Sequence, residues 1–224
     1  IFTYINSIAY GNPQAGWDIY DAPKVNLYHI VAHNNGQSNF GGNILSYSET
    51  GFPDTYITIK NSILYKPRYA QFGSYTGRFP TVTSSNNIYV PAASDTNVFS
   101  EDPFGTRQTY ISPPSWVSST DKLGTAFDPG FVSIGTSFVA NDYHLTGTGP
   151  TINAGSNLNS ILGVTNDRDG VLRSNTPEIG MYEFGGVSPT PLPDTIRPAI
   201  ISWDVQPRTI TALTNRTVTI SWNV

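Results

Sequence analysis

The run Tyr56-Ile57-Thr58-Ile59-Lys60-Asn61-Ser62-Ile63-Leu64-Tyr65 constrains the fold more than any other stretch. Apolar and polar residues alternate with period two, the pattern of a half-buried strand. An Asn interrupts the alternation, and a short apolar run follows. Asn tolerates the left-handed backbone that bends a chain sharply between two strands. The pattern returns at Asn6-Ser7-Ile8-Ala9-Tyr10, His29-Ile30-Val31-Ala32-His33 and Asn86-Asn87-Ile88-Tyr89. Aligned on Asn6, His29, Asn61 and Asn86, the turns lie 23, 32 and 25 residues apart. Periods of about 20 to 50 residues belong to solenoids and arrays. Uneven spacing suits a β-solenoid, whose strands hold register while its loops vary.

A second feature falls between the turns: Gly16-Trp17-Asp18-Ile19-Tyr20, then Gly41-Gly42-Asn43-Ile44-Leu45, then Ala70-Gln71-Phe72-Gly73-Ser74. Each coil then reads as a short strand, a loop, a longer strand, the Asn turn and a third short strand. In the second coil these strands are Asn43 to Ser46, Tyr56 to Lys60 and Ser62 to Leu64. Residues 91 to 127 lose the period. Pro91, Pro103, Pro113, Pro114 and Trp116 mark an irregular segment, which is expected to cap the last coil as solenoids require.

Composition narrows the functional classes. The 224 residues carry 20 Gly and 17 Pro, and no stretch holds a clean helical period, so strands joined by turns are expected. Cys is absent, which removes disulfides and thiolate metal sites. A Cys-free chain rich in Asn, Ser, Thr and Gly suits a bacterial secreted or surface protein. Net charge is −4 with no basic stripe, which argues against a nucleic-acid partner. Apolar runs are too short to span a bilayer as a helix. The chain opens at Ile1 without Met and closes at Val224 inside an alternating run, and is expected to be an excerpt of a longer protein.

With its strands and Asn turns in this order, residues 1–127 resemble right-handed parallel β-helices of the pectate-lyase superfamily, all-β folds with three strands per coil. The resemblance implies that Asn6, Asn61 and Asn86 form a stacked Asn ladder at the tight turn, with His29 the departure. It also implies an extended substrate face along the first strand of each coil. Outward positions there would be Asp18 and Tyr20, Asn43 and Leu45, and Gln71 and Gly73.

Residues 128–184 hold the most specific signature. Asp128-Pro129-Gly130-Phe131-Val132 precedes Asp142-Tyr143-His144-Leu145. Then come Gly149-Pro150-Thr151-Ile152-Asn153-Ala154-Gly155, Asp167-Arg168-Asp169-Gly170 and Glu178-Ile179-Gly180-Met181-Tyr182-Glu183. This order resembles the C-terminal module of bacterial β-helix proteins called choice-of-anchor Q. The chain departs from that pattern at Gly149, where Ser is usual, and at Glu178, where Asp is usual. Residues 185–197 read as a Pro-rich linker. Residues 198–224 resume alternation and resemble the first strands of an immunoglobulin-like or fibronectin-type sandwich, a truncated domain.

Candidate chemistry is sparse. Asp18 with Lys66 or Arg68 is the one grouping on the expected substrate face that offers a carboxylate beside a base. The plain alternative is a solvated ion pair. Trp17, Tyr20 and Asn43 are the candidate sugar contacts, since aromatic rings stack on sugar rings. Asp167 and Asp169, two apart, could share Ca²⁺, the one cofactor the pattern admits. A structural turn closed by Asp-Gly, with Arg168 or Arg173 paired to a carboxylate, is the alternative. His29, His33 and His144 share no ligand spacing.

Two functions stay open. One is a monomeric extracellular or cell-surface scaffold or adhesion module that contacts polysaccharide. The other is a polysaccharide lyase or glycoside hydrolase acting on an acidic polysaccharide, with much of its site upstream of Ile1.

Overall fold

The computed structural model describes residues 1–36, 41–47, 54–68, 70–74, 80–92, 99–101, 108–110, 115–161 and 163–185. The expected sandwich strands, and the expected linker beyond Gly185, lie outside the described residues. Residues Ile1–Ser188 form one compact unit.

The chain is all-β and mostly parallel. In order the strands are β1 (Phe2–Ile5), β2 (Ile8–Tyr10), β3 (Ala15–Tyr20), β4 (Lys24–Tyr28), β5 (Val31–His33) and β6 (Gly42–Tyr47). There follow β7 (Tyr56–Lys60), β8 (Ile63–Tyr65), β9 (Phe72–Ser74), β10 (Thr81–Ser85), β11 (Ile88–Val90) and β12 (Phe99–Glu101). The last are β13 (Gln108–Tyr110), β14 (Lys122–Leu123), β15 (Phe131–Ser133) and β16 (Asp142–Leu145). β1 to β12 are dealt in rotation to three sheets, which with β13 and β14 are ordered β1-β4-β7-β10, β2-β5-β8-β11-β14 and β3-β6-β9-β12-β13. Pairing is parallel within them except between β12 and β13. β15 and β16 form a separate antiparallel pair.

Period-two alternation sets the core. Val25, Ile57 and Val82 align across one sheet, as do Leu27 and Ile59. They meet Ala32, Leu64 and Tyr89 from the second sheet and Ile44 and Phe72 from the third in a single apolar cluster. Each fully buried Ile or Leu contributes about 1.5–3 kcal/mol. At one end Trp116 closes the cluster, its ring 5.6 Å from Phe72 and 6.5 Å from Tyr89.

The turn leading into the β2-β5-β8-β11 sheet is the same each time. Asn6, His29, Asn61 and Asn86 all take left-handed backbone, with φ of 49°, 51°, 52° and 55°. Asn suits that conformation because its short polar side chain bonds locally. The Asn side chains reach into the C-terminal segment rather than to one another. Asn6 Nδ2 donates to Asn166 O, Asn61 Nδ2 to Ser156 O and Asn86 Nδ2 to Ala154 O, at 2.7, 2.7 and 3.0 Å. Along the stack itself, Asn61 Nδ2 lies 3.0 Å from His29 Nε2.

The C-terminal segment is a coat. Tyr143, Ile179 and Met181 pack on Val31, Ile63 and Ile88, the outward row of β5, β8 and β11. Leu158 and Val164 pack on Tyr28, with Ile5 and Ile161 alongside. One sheet is therefore apolar on both faces, which is why β8 reads as a continuous apolar run.

Candidate functional site

The outer face of β1-β4-β7-β10 stays open. β4, β7 and β10 begin with exposed Lys24, Tyr56 and Thr81, then alternate buried and accessible positions. Parallel register lines the accessible residues into rows. Lys24, Tyr56 and Thr81 form one, and Thr3, Asn26, Thr58 and Thr83 another. Rows step from strand to strand by about 4.8 Å. Asn26 Nδ2 donates to Thr3 Oγ1 at 3.1 Å, a bond between neighbours in the second row. A third row runs Ile5, Tyr28, Lys60, Ser85, and the coat covers it at Ile5 and Tyr28. The four strands contain Lys24 and Lys60 and no acid. Hydroxyls, an amide, a phenol and an ammonium thus stand in register on one sheet face of a chain of net charge −4. Such groups can donate to and accept from a hydroxylated or anionic polymer.

The face expected to bind sugar, on β3, β6 and β9, is largely closed. Trp17 aligns with Ile44 and points into the core, 8 % exposed. Its ring meets Tyr4 edge-on at 6.4 Å. Asn43, expected outward, is fully buried, as is Gln71, and Leu45 is almost so. An amide chain consumes the polar ones. Asn35 Nδ2 donates to Asn43 Oδ1 at 3.0 Å and Asn43 Nδ2 to Gln71 Oε1 at 2.8 Å. Asn12 Nδ2 joins from the coil before, donating to Asn35 Oδ1 at 3.0 Å. Buried amides are ordinarily paired, and a neighbouring amide supplies both a donor and an acceptor; the chain of bonds stops at Gln71, whose Nε2 is buried without a partner.

Asp18 and Tyr20 remain accessible on β3, at a cavity of about 220 Å³ shared with Phe2, Tyr4 and Trp17. Burial pushes the Asp18 carboxyl above the usual range. Lys66 and Arg68 do not line that cavity. Asp18 aligns with Leu45 and, through it, with Gly73. Lys66 and Arg68 precede that position by seven and five residues, in the connection between β8 and β9. The Lys66 ammonium sits 4.7 Å from the Tyr65 ring centroid, and Arg68 Nε donates to Asn34 Oδ1 at 3.0 Å. The structure does not bring the three together.

Asp167 and Asp169 have separate partners. Asp167 Oδ1 accepts from Asp169 N at 2.9 Å and Val171 N at 2.8 Å, and Oδ2 accepts from Glu183 N at 2.8 Å. Asp169 Oδ2 lies 2.8 Å from His144 Nε2, while His144 Nδ1 lies 2.5 Å from Asp142 Oδ1. Burial pulls the His144 pKa down, but the hydrogen bonds and charges of Asp169 and Asp142 outweigh it and raise the net value. Tyr182 stacks on the imidazole at 3.9 Å. Both imidazole nitrogens are occupied, so His144 ties β16 to the Asp167–Gly170 turn. Among the described residues no group of three or more His, Asp or Glu side chains is arranged to hold a metal ion.

The sequence pointed to Arg173 paired with a carboxylate, but not to this bridge, nor to Glu183 as that carboxylate with Glu178 buried beside it. Arg173 Nη1 lies 3.2 Å from Glu183 Oε2, with the guanidinium fully buried. The spacings Asp142-x-His144 and Asp167-x-Asp169 were visible, but nothing in the sequence says that two turns 25 residues apart face each other.

Comparison of the chain with protein-family models, with curated proteins and with solved structures finds no match. No described helix is long and apolar enough to cross a membrane.

Proposed function

We propose that the chain is a right-handed parallel β-helix, three strands per coil, from a bacterial secreted or cell-surface protein. It works there as a scaffold that contacts polysaccharide. In this reading residues 128–184 are a choice-of-anchor Q type module serving as the coat. A Pro-rich linker and the start of an immunoglobulin-like or fibronectin-type domain follow.

The observation that carries the reading is the open, register-aligned polar face of β1-β4-β7-β10. A coat of apolar side chains closes the outer face of a second sheet, and internal amides occupy the third where β6 and β9 meet the turn. On the described β1-β4-β7-β10 sheet, Thr, Asn, Tyr and Lys face outward in register. Thr offers a hydroxyl that both donates and accepts, and Tyr56, 53 % exposed, offers a ring face and a hydroxyl. Each such hydrogen bond exchanges against water and contributes only about 0.5–1.5 kcal/mol net. A long polymer engaging several rows gathers those small terms through repeated contact.

The test uses the intact protein on immobilised neutral and acidic polysaccharides, with ultraviolet absorbance of unsaturated uronide ends followed in parallel. Retention without absorbance is expected. Absorbance rising on a polyuronate would replace the scaffold reading with a lyase. No retention on any member of the panel would remove polysaccharide contact altogether.

A further inference from the structure

The coat does not fill the edge of the sheet it covers. Ile8, Val31, Ile63 and Ile88 form one outward row across β2, β5, β8 and β11. Ile179 and Met181 pack on Val31, Ile63 and Ile88. At Ile8, on edge strand β2, a cavity of about 280 Å³ opens between the row and the coat. Ile8 and Met181 give it apolar walls, and Phe138, 54 % exposed, adds an accessible ring. Asp142 and His144 of β16 join them, with Arg168 from the Asp167–Gly170 turn.

These polar side chains are already held in place. His144 N donates to Asp142 Oδ1 at 3.0 Å, and His144 Nδ1 lies against the same oxygen. The His144 amide leads, against burial, in holding the Asp142 carboxyl below the usual range, which keeps it an acceptor. His144 is fixed in turn by Asp169 and by the stacked Tyr182 ring. Arg168 N donates to Met181 O at 3.0 Å, and Arg168 Nη1 donates to Asn6 O at 3.2 Å. Among the described residues Asp142 Oδ2 and Arg168 Nε and Nη2 have no protein partner. An acceptor and a donor fork thus stand ready beside an aromatic ring, and groups fixed in advance lose little freedom on binding.

The chemistry of the walls selects the guest. A carboxylate only accepts and a guanidinium only donates, so the guest must do both. Hydroxyls do both, and a sugar ring adds an apolar C–H face for Phe138. Charge narrows the choice. Asp142 and Asp169 stand against Arg168 and His144, so these four groups sum to zero with the imidazole protonated and to a negative charge without it. An acidic sugar gains nothing from such a field, and Arg168 opposes an ammonium group. The volume lies just under the roughly 300–1,000 Å³ of pockets for drug-sized ligands, which suits one ring rather than an oligomer.

We propose that this cavity binds one neutral sugar residue, a chain end or a branch, through Asp142, Arg168 and the Phe138 ring. The inference rests on the polysaccharide reading only for the origin of that sugar. It sets a second contact on a different sheet from the open β1-β4-β7-β10 face.

The test is NMR titration of the intact protein with glucose, galactose and mannose, beside glucuronate and glucosamine. At least one neutral sugar should shift the amides of Phe138 to His144 and of Arg168, with a dissociation constant on the order of 1 mM. Glucuronate and glucosamine should bind more weakly. Arg168→Ala and Phe138→Ala should each weaken binding by about tenfold, and Tyr56→Ala should leave it unchanged. Shifts from no neutral sugar overturn the proposal. So does tighter binding of either charged sugar, or wild-type affinity in both cavity variants. If those variants do not fold, the wild-type shifts alone decide. Retention on polysaccharide without these shifts overturns the cavity and spares the open face. Shifts without retention support the cavity and remove the open face.

Discussion

His29 Nε2 accepts a hydrogen bond from Asn61 Nδ2 at 3.0 Å. The amide orientation is fixed, because Asn61 Oδ1 accepts from Ser156 N at 2.9 Å. The imidazole proton is therefore on Nδ1, which donates to Gly180 O at 3.0 Å. One histidine in an asparagine position thus links two coils and the coat, and it does so only when neutral.

Protonation would turn His29 Nε2 from acceptor into donor and set it against the Asn61 amide. Its stabilisation is present above the unfolded value near 6.5 and is lost as pH falls toward about 3. His33, pushed down to about 4 by burial and then by Lys66, adds a slope of the same sign. His29→Asn should cost about 1–2 kcal/mol near neutrality and make the acid-side decline shallower. Urea midpoints over a pH series would show it. A variant with the wild-type slope would mean His29 is not held neutral.

The amide chain makes a stability prediction. Asn43→Ala leaves Asn35 Nδ2 and Gln71 Oε1 each short of a partner inside the fold. Leaving a buried group unsatisfied costs about 1–3 kcal/mol, so the variant should lose about 2–4 kcal/mol in urea unfolding. Loss below about 0.5 kcal/mol, the range of ordinary surface changes, would show that Asn43 is not buried in this network.

The open face predicts the reverse pattern. Tyr56→Ala and the pair Thr58→Val with Thr83→Val remove outward groups only. Stability should change by no more than about 0.5–1 kcal/mol, while retention on whichever polysaccharide binds should drop severalfold. Unchanged retention would move the contact elsewhere.

Much of the backbone plan was legible and much of the side-chain plan was not. Tyr56–Lys60 matches β7 residue for residue, because alternation between a core and an accessible face leaves a direct trace. Asn6, His29, Asn61 and Asn86 stood out because few residues accept left-handed backbone. Asn43 and Gln71 misled for a physical reason. A polar residue facing a covered amide chain has the same period as one facing solvent. Trp17 looked like a sugar platform, yet its position in the alternation shared with Ile44 already put it inside. Arg173 was expected to pair with a carboxylate, but its partner Glu183 and its burial gave no signal, since a buried ion cluster is assembled by the fold and not by spacing.

The absence of Cys makes the central arrangement directly testable. Thr58 and Thr83 are register partners on neighbouring parallel strands, and Thr81 is paired with Tyr56 instead. Neighbouring strands lie about 4.8 Å apart, within the about 4.4–6.8 Å between Cα atoms that a disulfide spans. The measurement is oxidation of Thr58→Cys with Thr83→Cys, beside the offset pair Thr58→Cys with Thr81→Cys. Rapid, complete closure of the first pair and little closure of the second is the predicted result. Preferential closure of the offset pair, or none in a folded first pair, would contradict the parallel register and the open face built on it.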